Sequence, residues 1–264
     1  MKTAIETHNL TVAYNRRPVL WDIDFQIPEG QLIGVLGPNG SGKTTLLKSI
    51  MGLVQPSSGY VRLFGQSLDE VRSRISYVPQ RESVDWNFPI SVREVALMGR
   101  YRKDKLLGRL SREDHRLADE ALEKVGMLPY ADRQIAQLSG GQQQRVFVAR
   151  ALTQQADLYL MDEPFAGVDA ASEEAILTLL KDMKQAGKTV LIVHHDLHTA
   201  HQFFDWMVLL NTRLIKCGPT ASVFTAEYLK QAYGGQLTIL SQVSDLVKAR
   251  DFPIRERSFK DQPK

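Results

Sequence analysis

"LIGVLGPNGSGKTTLLKSI", Leu32–Ile50, joins an apolar run to a glycine-rich loop and a helical pattern. Its first five residues, Leu32–Leu36, carry no polar side chain, as a strand must when both faces of its sheet are covered. "GPNGSGKT", Gly37–Thr44, then fits the spacing G-x-x-x-x-G-K-[ST], and a helical pattern follows Gly42. Strand, glycine-rich loop and helix in direct succession are the context such a loop needs. Glycines let successive backbone N–H groups turn inward around an anion, and the helix start adds partial positive charge. Gly37, Pro38, Asn39, Gly40, Ser41, Gly42, Lys43, Thr44 and Thr45 are therefore the candidate nucleotide-binding residues. Lys43 is placed to reach the β- and γ-phosphates, and the Thr44 hydroxyl to ligate Mg²⁺. A second Gly-Lys-Thr, Gly187–Thr189, has Asp182 where the upstream glycine would stand and precedes a strand, so it reads as a plain turn.

Outward from this loop, "IETHNLTVAY" and "VLWDIDFQI" alternate as strands with one solvated face, which places an antiparallel flank early in the chain. Further strands are expected at "YVRLF", "RISYV", "DLYLMD" (Asp157–Asp162), "TVLIVH" (Thr189–His194) and "WMVLL" (Trp206–Leu210). Helical patterns follow Ser91, Ser111, Gly141, Ser172 and Asp196. Apolar strands alternating with helices in the second half imply a parallel sheet with crossover helices. From Ser91 the chain turns helical and highly charged, as in "GRYRKDKLLGRLSREDHRLADEALEKVG", and this reads as an insertion in the α/β core. After Tyr233 a short tail ends in "RERSFKDQPK".

The 264 residues suffice for one large core, and 43% apolar with 24% charged residues is ordinary for a soluble globular protein. A net charge of +3 is too weak a footprint for a nucleic-acid partner, and none is expected. Cys217 is the sole cysteine, which excludes an internal disulfide and a cysteine-based zinc site and fits a reducing cytosol. "MKTAIETHNLTVAY" lacks the charged-then-apolar signal pattern, and nowhere do about 18 apolar residues run together. The expectation is a chain that reaches a membrane only through a partner.

Two further motifs carry chemistry. "DLYLMDEP" sets an acidic pair at the end of a buried strand: Asp162 to hold Mg²⁺ through water, and Glu163 to polarise a water for attack on the γ-phosphorus. "LSGGQQQR", Leu138–Arg145, makes a second anion-binding helix start at Ser139, Gly140 and Gly141. One chain with two phosphate cradles calls for a second nucleotide, or for the nucleotide of another subunit.

At these residues, and from Tyr14 to about Tyr233, the chain resembles the ATP-binding cassette ATPases, the nucleotide-binding subunits of ABC transporters. LSGGQ following a P-loop is highly specific to them. The resemblance implies an α/β P-loop NTPase core with a mostly parallel sheet, an antiparallel β flank and a helical insertion at about 91–140. These would form a single domain, 1–233, with 234–264 as a C-terminal extension. It implies ATP and Mg²⁺, the ion held by Thr44, Asp162 and Gln80. Tyr14 would stack on adenine, Gln80 would touch Mg²⁺ or the attacking water, and Asp169 would lie at a dimer contact. Ser139, Gly140, Gly141 and Gln142 would meet the ATP of a second ATPase subunit, in a homodimer.

"VHHDLHTAHQF", Val193–Phe203, holds His194, His195, His198 and His201, and gaps of three and four put His194, His198 and His201 near one helical face, as in a metal site. The resemblance gives another use: His195 falls where the family carries a histidine that contacts the γ-phosphate, His194 stands where Thr is more common, and His198 and His201 lie on the next helix. "SYVPQRESVDWNFPISVREVALMGRY" (Ser76–Tyr101), "DEPFAGVDAASE" and "VHHDL" together resemble the importers of manganese, zinc or iron. That implies an integral-membrane permease, an extracytoplasmic substrate-binding protein reached indirectly, and a peripheral seat on the cytoplasmic face of the membrane. Trp86, Phe88 and Pro89 are expected as exposed apolar residues meeting the permease. Import of another small nutrient, or a soluble ABC ATPase, is the alternative. The second usually brings two cassettes or a coiled coil, and here one Walker A and no sustained heptads are found. A GTPase would need N-K-x-D, which is absent.

Overall fold

A computed structural model describes residues 2–101 and 110–234. Part of the charged stretch after Gly99, and all of the expected C-terminal extension except Gly234, lie outside the described residues.

Strands β1 (Thr3–Tyr14), β2 (Arg17–Pro28) and β4 (Ser58–Leu63) form an antiparallel sheet in the order β2-β1-β4. The β1–β2 hairpin closes through Asn15 and Arg16, both at positive φ (49° and 64°), the conformation that matches a two-residue turn to strand twist. The second sheet has the order β5-β6-β7-β3-β8-β9, from β5 (Ile75–Val78), β6 (Leu158–Asp162), β7 (Thr189–Val193), β3 (Leu32–Leu36), β8 (Trp206–Asn211) and β9 (Arg213–Pro219). All its pairings are parallel except β8–β9. Every residue of β3, β6 and β7 is buried, which agrees with their unbroken apolar runs.

Alternate residues of these strands feed two separate cores. Leu32 and Leu36 of β3, Val190 and Ile192 of β7, and Met207 and Leu209 of β8 face one. Ile33, Val35, Leu191, Val193, Val208 and Leu210 face the other. On the second face the antiparallel sheet and α1 (Lys43–Ile50) cover the strands, with α2 (Leu68–Val71) beside β4. The first face is covered by α3 (Val92–Leu97), α4 (Arg112–Lys124), α5 (Gly140–Thr153), α6 (Ala170–Gln185), α7 (Leu197–Phe203) and α9 (Ala226–Tyr233), the last preceded by α8 (Thr220–Val223). Truncating a Leu in either core costs roughly 2–5 kcal/mol by lost transfer energy and a residual cavity.

The helices between β5 and β6 start where local chemistry dictates. Ser91 with Glu94, Ser111 with Asp114 and Ser139 with Gln142 each form a capping box, satisfying N–H groups that have no intrahelical acceptor. Two expected starts move. α5 begins at Gly140, two residues early, because Ser139 is its cap, and α6 begins at Ala170, ahead of Ser172. Gly187 turns the chain at φ 77° between α6 and β7, while Thr189 Oγ1 accepts the Gly30 N–H at 2.9 Å. β9, α2, α8 and α9 were not among the expected elements; the helices are one or two turns long, too short to show a period.

Candidate functional site

Register brings the site together. Val193 of β7 pairs with Val35 of β3 on one side and with Asp162 of β6 on the other, so all three strands end in one row. The segments that leave this row are the glycine-rich loop, Glu163, and His194–His195. They emerge at the carboxyl end of a parallel sheet, where ligands of such sheets bind.

At the loop, a Cβ on Gly37 would come within 2.0 Å of the Leu210 carbonyl oxygen, so only glycine lets β8 pass this close. Gly42 caps α1 at φ 97°, with Leu20 and the Val19 carbonyl against the face where a side chain would sit. The Lys43 ammonium, 7% exposed, donates to the Gly37 and Pro38 carbonyls at 2.9 Å each. Burial lowers its pKa, and the Glu163 and Asp162 carboxylates pull it back up. A cleft of about 260 Å³ opens over the loop, lined by Val19, Asn39–Thr45 and Glu163. Val19 is a wall residue that the sequence pattern did not point to. Tyr14 stands 45% exposed at the tip of the β1–β2 hairpin and does not line the cleft.

Asp162 is fully buried, and its Oδ1 accepts the Thr44 hydroxyl at 3.1 Å. Its Oδ2 is buried with no hydrogen-bond partner among the described residues. Burial raises the carboxyl pKa; the Thr44 hydrogen bond opposes this, and the Glu163 charge adds to it. A buried carboxylate with one unmet oxygen beside a hydroxyl is a donor set that gains from a hard divalent cation, so Thr44 and Asp162 fit Mg²⁺. Glu163 follows at φ 50°, a left-handed backbone uncommon outside glycine, and this turns its side chain onto the cleft wall. Gln80, past the end of β5, donates Nε2 to Glu163 Oε2 at 3.4 Å. The two sequence-distant residues are therefore neighbours.

The histidines do not share one helical face, because α7 spans only Leu197–Phe203 and leaves His194 outside it. His194, 3% exposed, sits between the Phe165 ring at 5.6 Å and the Phe204 ring at 5.5 Å, with Nε2 3.0 Å from the Thr199 hydroxyl. His195 and His198 are exposed, and His201 stacks on Phe224 at 5.3 Å. Among the described residues no group of three or more His, Cys, Asp or Glu side chains could hold a metal ion.

Burial, with the neighbouring His195 charge adding, pushes the His194 pKa down to about 4 from 6.5. Between those values the unfolded chain binds more protons than the folded one, so this contribution is fully present above pH 6.5 and is lost as pH falls toward 4. Moving from pH 7 to pH 5 is expected to cost about 2 kcal/mol through His194 alone. Denaturant unfolding of wild type and His194→Gln at both pH values checks it: the variant should lose less stability by that amount, and equal losses would remove His194 as the cause.

The second glycine pair lies elsewhere. Ser139 donates its N–H to Gln142 Oε1 at 3.0 Å and accepts the Gln142 N–H at 3.3 Å, fixing the first turn of α5. A Cβ on Gly141 would lie 3.8 Å from Asp169 Oδ2, so the expected dimer-contact residue flanks this turn. None of Ser139–Gln142 lines the cleft over Lys43. Of the expected exposed trio, Phe88 (58% exposed) and Pro89 stand in solvent. Trp86 instead packs edge-on against Phe147 at 4.8 Å and donates its indole N–H to the Arg81 carbonyl at 2.8 Å. A neighbour found in α5, far along the chain, explains the difference.

No helix of the described residues is long and apolar enough to cross a membrane. A family model described as ABC transporter matches residues 20–166. The manganese transport system ATP-binding protein MntB of Bacillus subtilis (strain 168) is 60% identical over 236 residues, covering 89% of this chain and 94% of that protein. The zinc transport system ATP-binding protein TroB of Treponema pallidum (strain Nichols) is 55% identical over 235 residues, covering 89% and 88%. Among solved structures, a metal-chelate type ABC transporter in an inward-facing conformation matches with a TM-score of 0.75 and 28% identity, over 87% of this chain and 88% of that one.

Proposed function

Because the chain belongs to the ABC transporter ATPases, we propose that it is the ATP-hydrolysing subunit of an importer for a divalent metal ion, working as a homodimer on the cytoplasmic face of a membrane beneath a separate permease. The observation that carries the ATPase reading is the cleft in which Lys43, Thr44 and Glu163 face one space above the buried Asp162. The manganese and zinc systems to which the chain is 60% and 55% identical support the cargo class.

In this reading Asn39–Thr45 hold the ATP phosphates, and Lys43 exchanges its two carbonyl acceptors for phosphate oxygens. Tyr14 and Val19 take the adenine side. Thr44, Asp162 and Gln80 would hold Mg²⁺, which when bound offsets charge on the β- and γ-phosphates. Glu163 takes a proton from the water that attacks the γ-phosphorus, and His195 contacts the γ-phosphate. Ser139, Gly140, Gly141 and Gln142 close over the ATP of the second subunit, with Asp169 at the dimer contact. Residues 1–233 act as one domain whose 91–140 insertion meets the permease, and a substrate-binding protein delivers the ion from outside.

Deleting the gene should slow growth when manganese, zinc or iron is scarce, with rescue by the one metal carried. In the complemented strain Phe88→Ala should lower uptake of that metal while ATP turnover persists, since its exposed ring touches nothing in the nucleotide cleft. Normal cellular metal content under all three shortages would overturn the cargo and leave the ATPase standing.

A further inference from the structure

Arg81 follows Gln80 directly, and its side chain crosses to the start of α5. A Cβ on Gly140 would lie 3.0 Å from Arg81 Cζ, 3.1 Å from Nε and 3.2 Å from Nη2, so the guanidinium lies face-on against the Gly140 backbone. Arg81 Nη2 donates to Gln143 Oε1 at 3.1 Å, and the buried Gln143 donates Nε2 to the Ile135 carbonyl at 3.1 Å. The Arg81 carbonyl accepts the Trp86 indole, and Trp86 rests on Phe147 of α5. One residue thus ties the segment carrying Gln80 to the turn Ser139–Gln142.

The electrostatics of this placement run against the helix. A helix N-terminus is already positive, and its first-turn N–H groups have no intrahelical acceptor, so a cation there costs stability rather than adding it. Asp169, on the Gly141 side of the turn, offsets part of that cost. Arg81 Nε remains buried with no partner among the described residues. The arrangement gains once an anion reaches the turn.

Resting on the reading that this turn serves another subunit's nucleotide, we propose that Arg81 is a positioning residue: it holds Ser139–Gln142 in shape, and at positive potential, for the γ-phosphate of ATP bound to a second copy of the chain. It also passes to that turn any shift of the Gln80 segment. The same packing accounts for glycine at position 140, where a larger side chain would displace the guanidinium.

The test measures ATP turnover of the full chain over a range of protein concentrations, and affinity of the cleft for a fluorescent ATP analogue separately. Arg81→Met keeps the length and removes the charge. It should lower turnover about tenfold at low protein concentration, less as concentration rises, with analogue affinity within about twofold of wild type. Arg81→Lys, which restores charge without the planar face, should recover part of the loss. Ser139→Arg obstructs the turn itself and reports on the shared-site reading. If Ser139→Arg is inactive while Arg81→Met turns over like wild type, the role of Arg81 is overturned and the shared site stands. Full activity of both overturns the shared site as well. Analogue affinity falling in step with turnover also overturns the proposal, since that is the mark of general damage. Should Arg81→Met melt more than about 5 °C lower, Arg81→Lys decides: turnover above that of Arg81→Met supports the proposal, and turnover no higher than that of Arg81→Met overturns it.

Discussion

Glu163→Gln is expected to lower kcat for ATP by about 10³-fold or more while ATP still binds. Glutamine keeps the size and the shape of the side chain and can adopt the same left-handed backbone, φ 50°, so the cleft wall stays in place. What disappears is a base. Among the residues that line the cleft Glu163 is the sole carboxylate, and the other nearby acid, Asp162, is fully buried and engaged by the Thr44 hydroxyl. Removing the Glu163 charge also removes an anion from the space the γ-phosphate would enter, so ATP affinity should hold or rise. With hydrolysis blocked, ATP should accumulate a closed dimer, visible as a shift in sedimentation that Mg²⁺ chelation reverses. A variant that turns over ATP near the wild-type rate would end the assignment of Glu163 as general base.

The parts of this site that could be read in the sequence are those in which one short stretch holds the whole device. A buried strand running into glycines and a helix needs no distant partner, so Gly37–Thr45 and the acidic pair Asp162–Glu163 stood out from spacing alone. The strands β3, β6 and β7 were legible for the same reason, since a strand covered on both faces must be apolar throughout. Gln80, Asp169, Tyr14 and His195 carry no local signature, and only the family pattern singled them out.

Contacts between remote stretches were not legible. Val19 enters the cleft because β2 passes Gly42, and nothing in "RPVLWD" announces that. Trp86 looked like Phe88 until Phe147 covered it. Tyr233, at the end of α9, has a buried hydroxyl facing the Gly37 N–H, and burial pushes its pKa up to about 12. The last described helix thus leans on the first residue of the glycine loop, because both pack on the end of β8: Gly37 against the Leu210 carbonyl, and α9 through Asn211 Nδ2, which donates to the Ala232 carbonyl at 2.9 Å. Two like residues at neighbouring positions also parted company. His194 went into the core and His195 to the surface, because strand β7 ends at Val193 and successive side chains leave it in opposite directions.

That parting sets the second large effect. His195→Ala is expected to lower kcat by about 10²-fold or more, in line with removal of one donor aimed at developing charge. His198→Ala should leave turnover within about twofold, because His198 is exposed on α7 and bonds through its backbone N–H to the Asp196 cap, which alanine keeps. His201→Ala removes a ring stacked on Phe224 and a buried Nδ1 with no partner among the described residues. Its cost should therefore appear in the melting temperature and not in kcat. The three variants separate a phosphate contact from a metal site, since a metal held by this stretch would need at least two of the same imidazoles. Zinc titrated into the full-length subunit should show no stoichiometric site of sub-micromolar affinity, by calorimetry and with a competing chelator. Tight zinc binding that His198→Ala or His201→Ala abolishes would reverse the assignment, and turnover of His195→Ala equal to that of His198→Ala would leave the γ-phosphate without its proposed histidine.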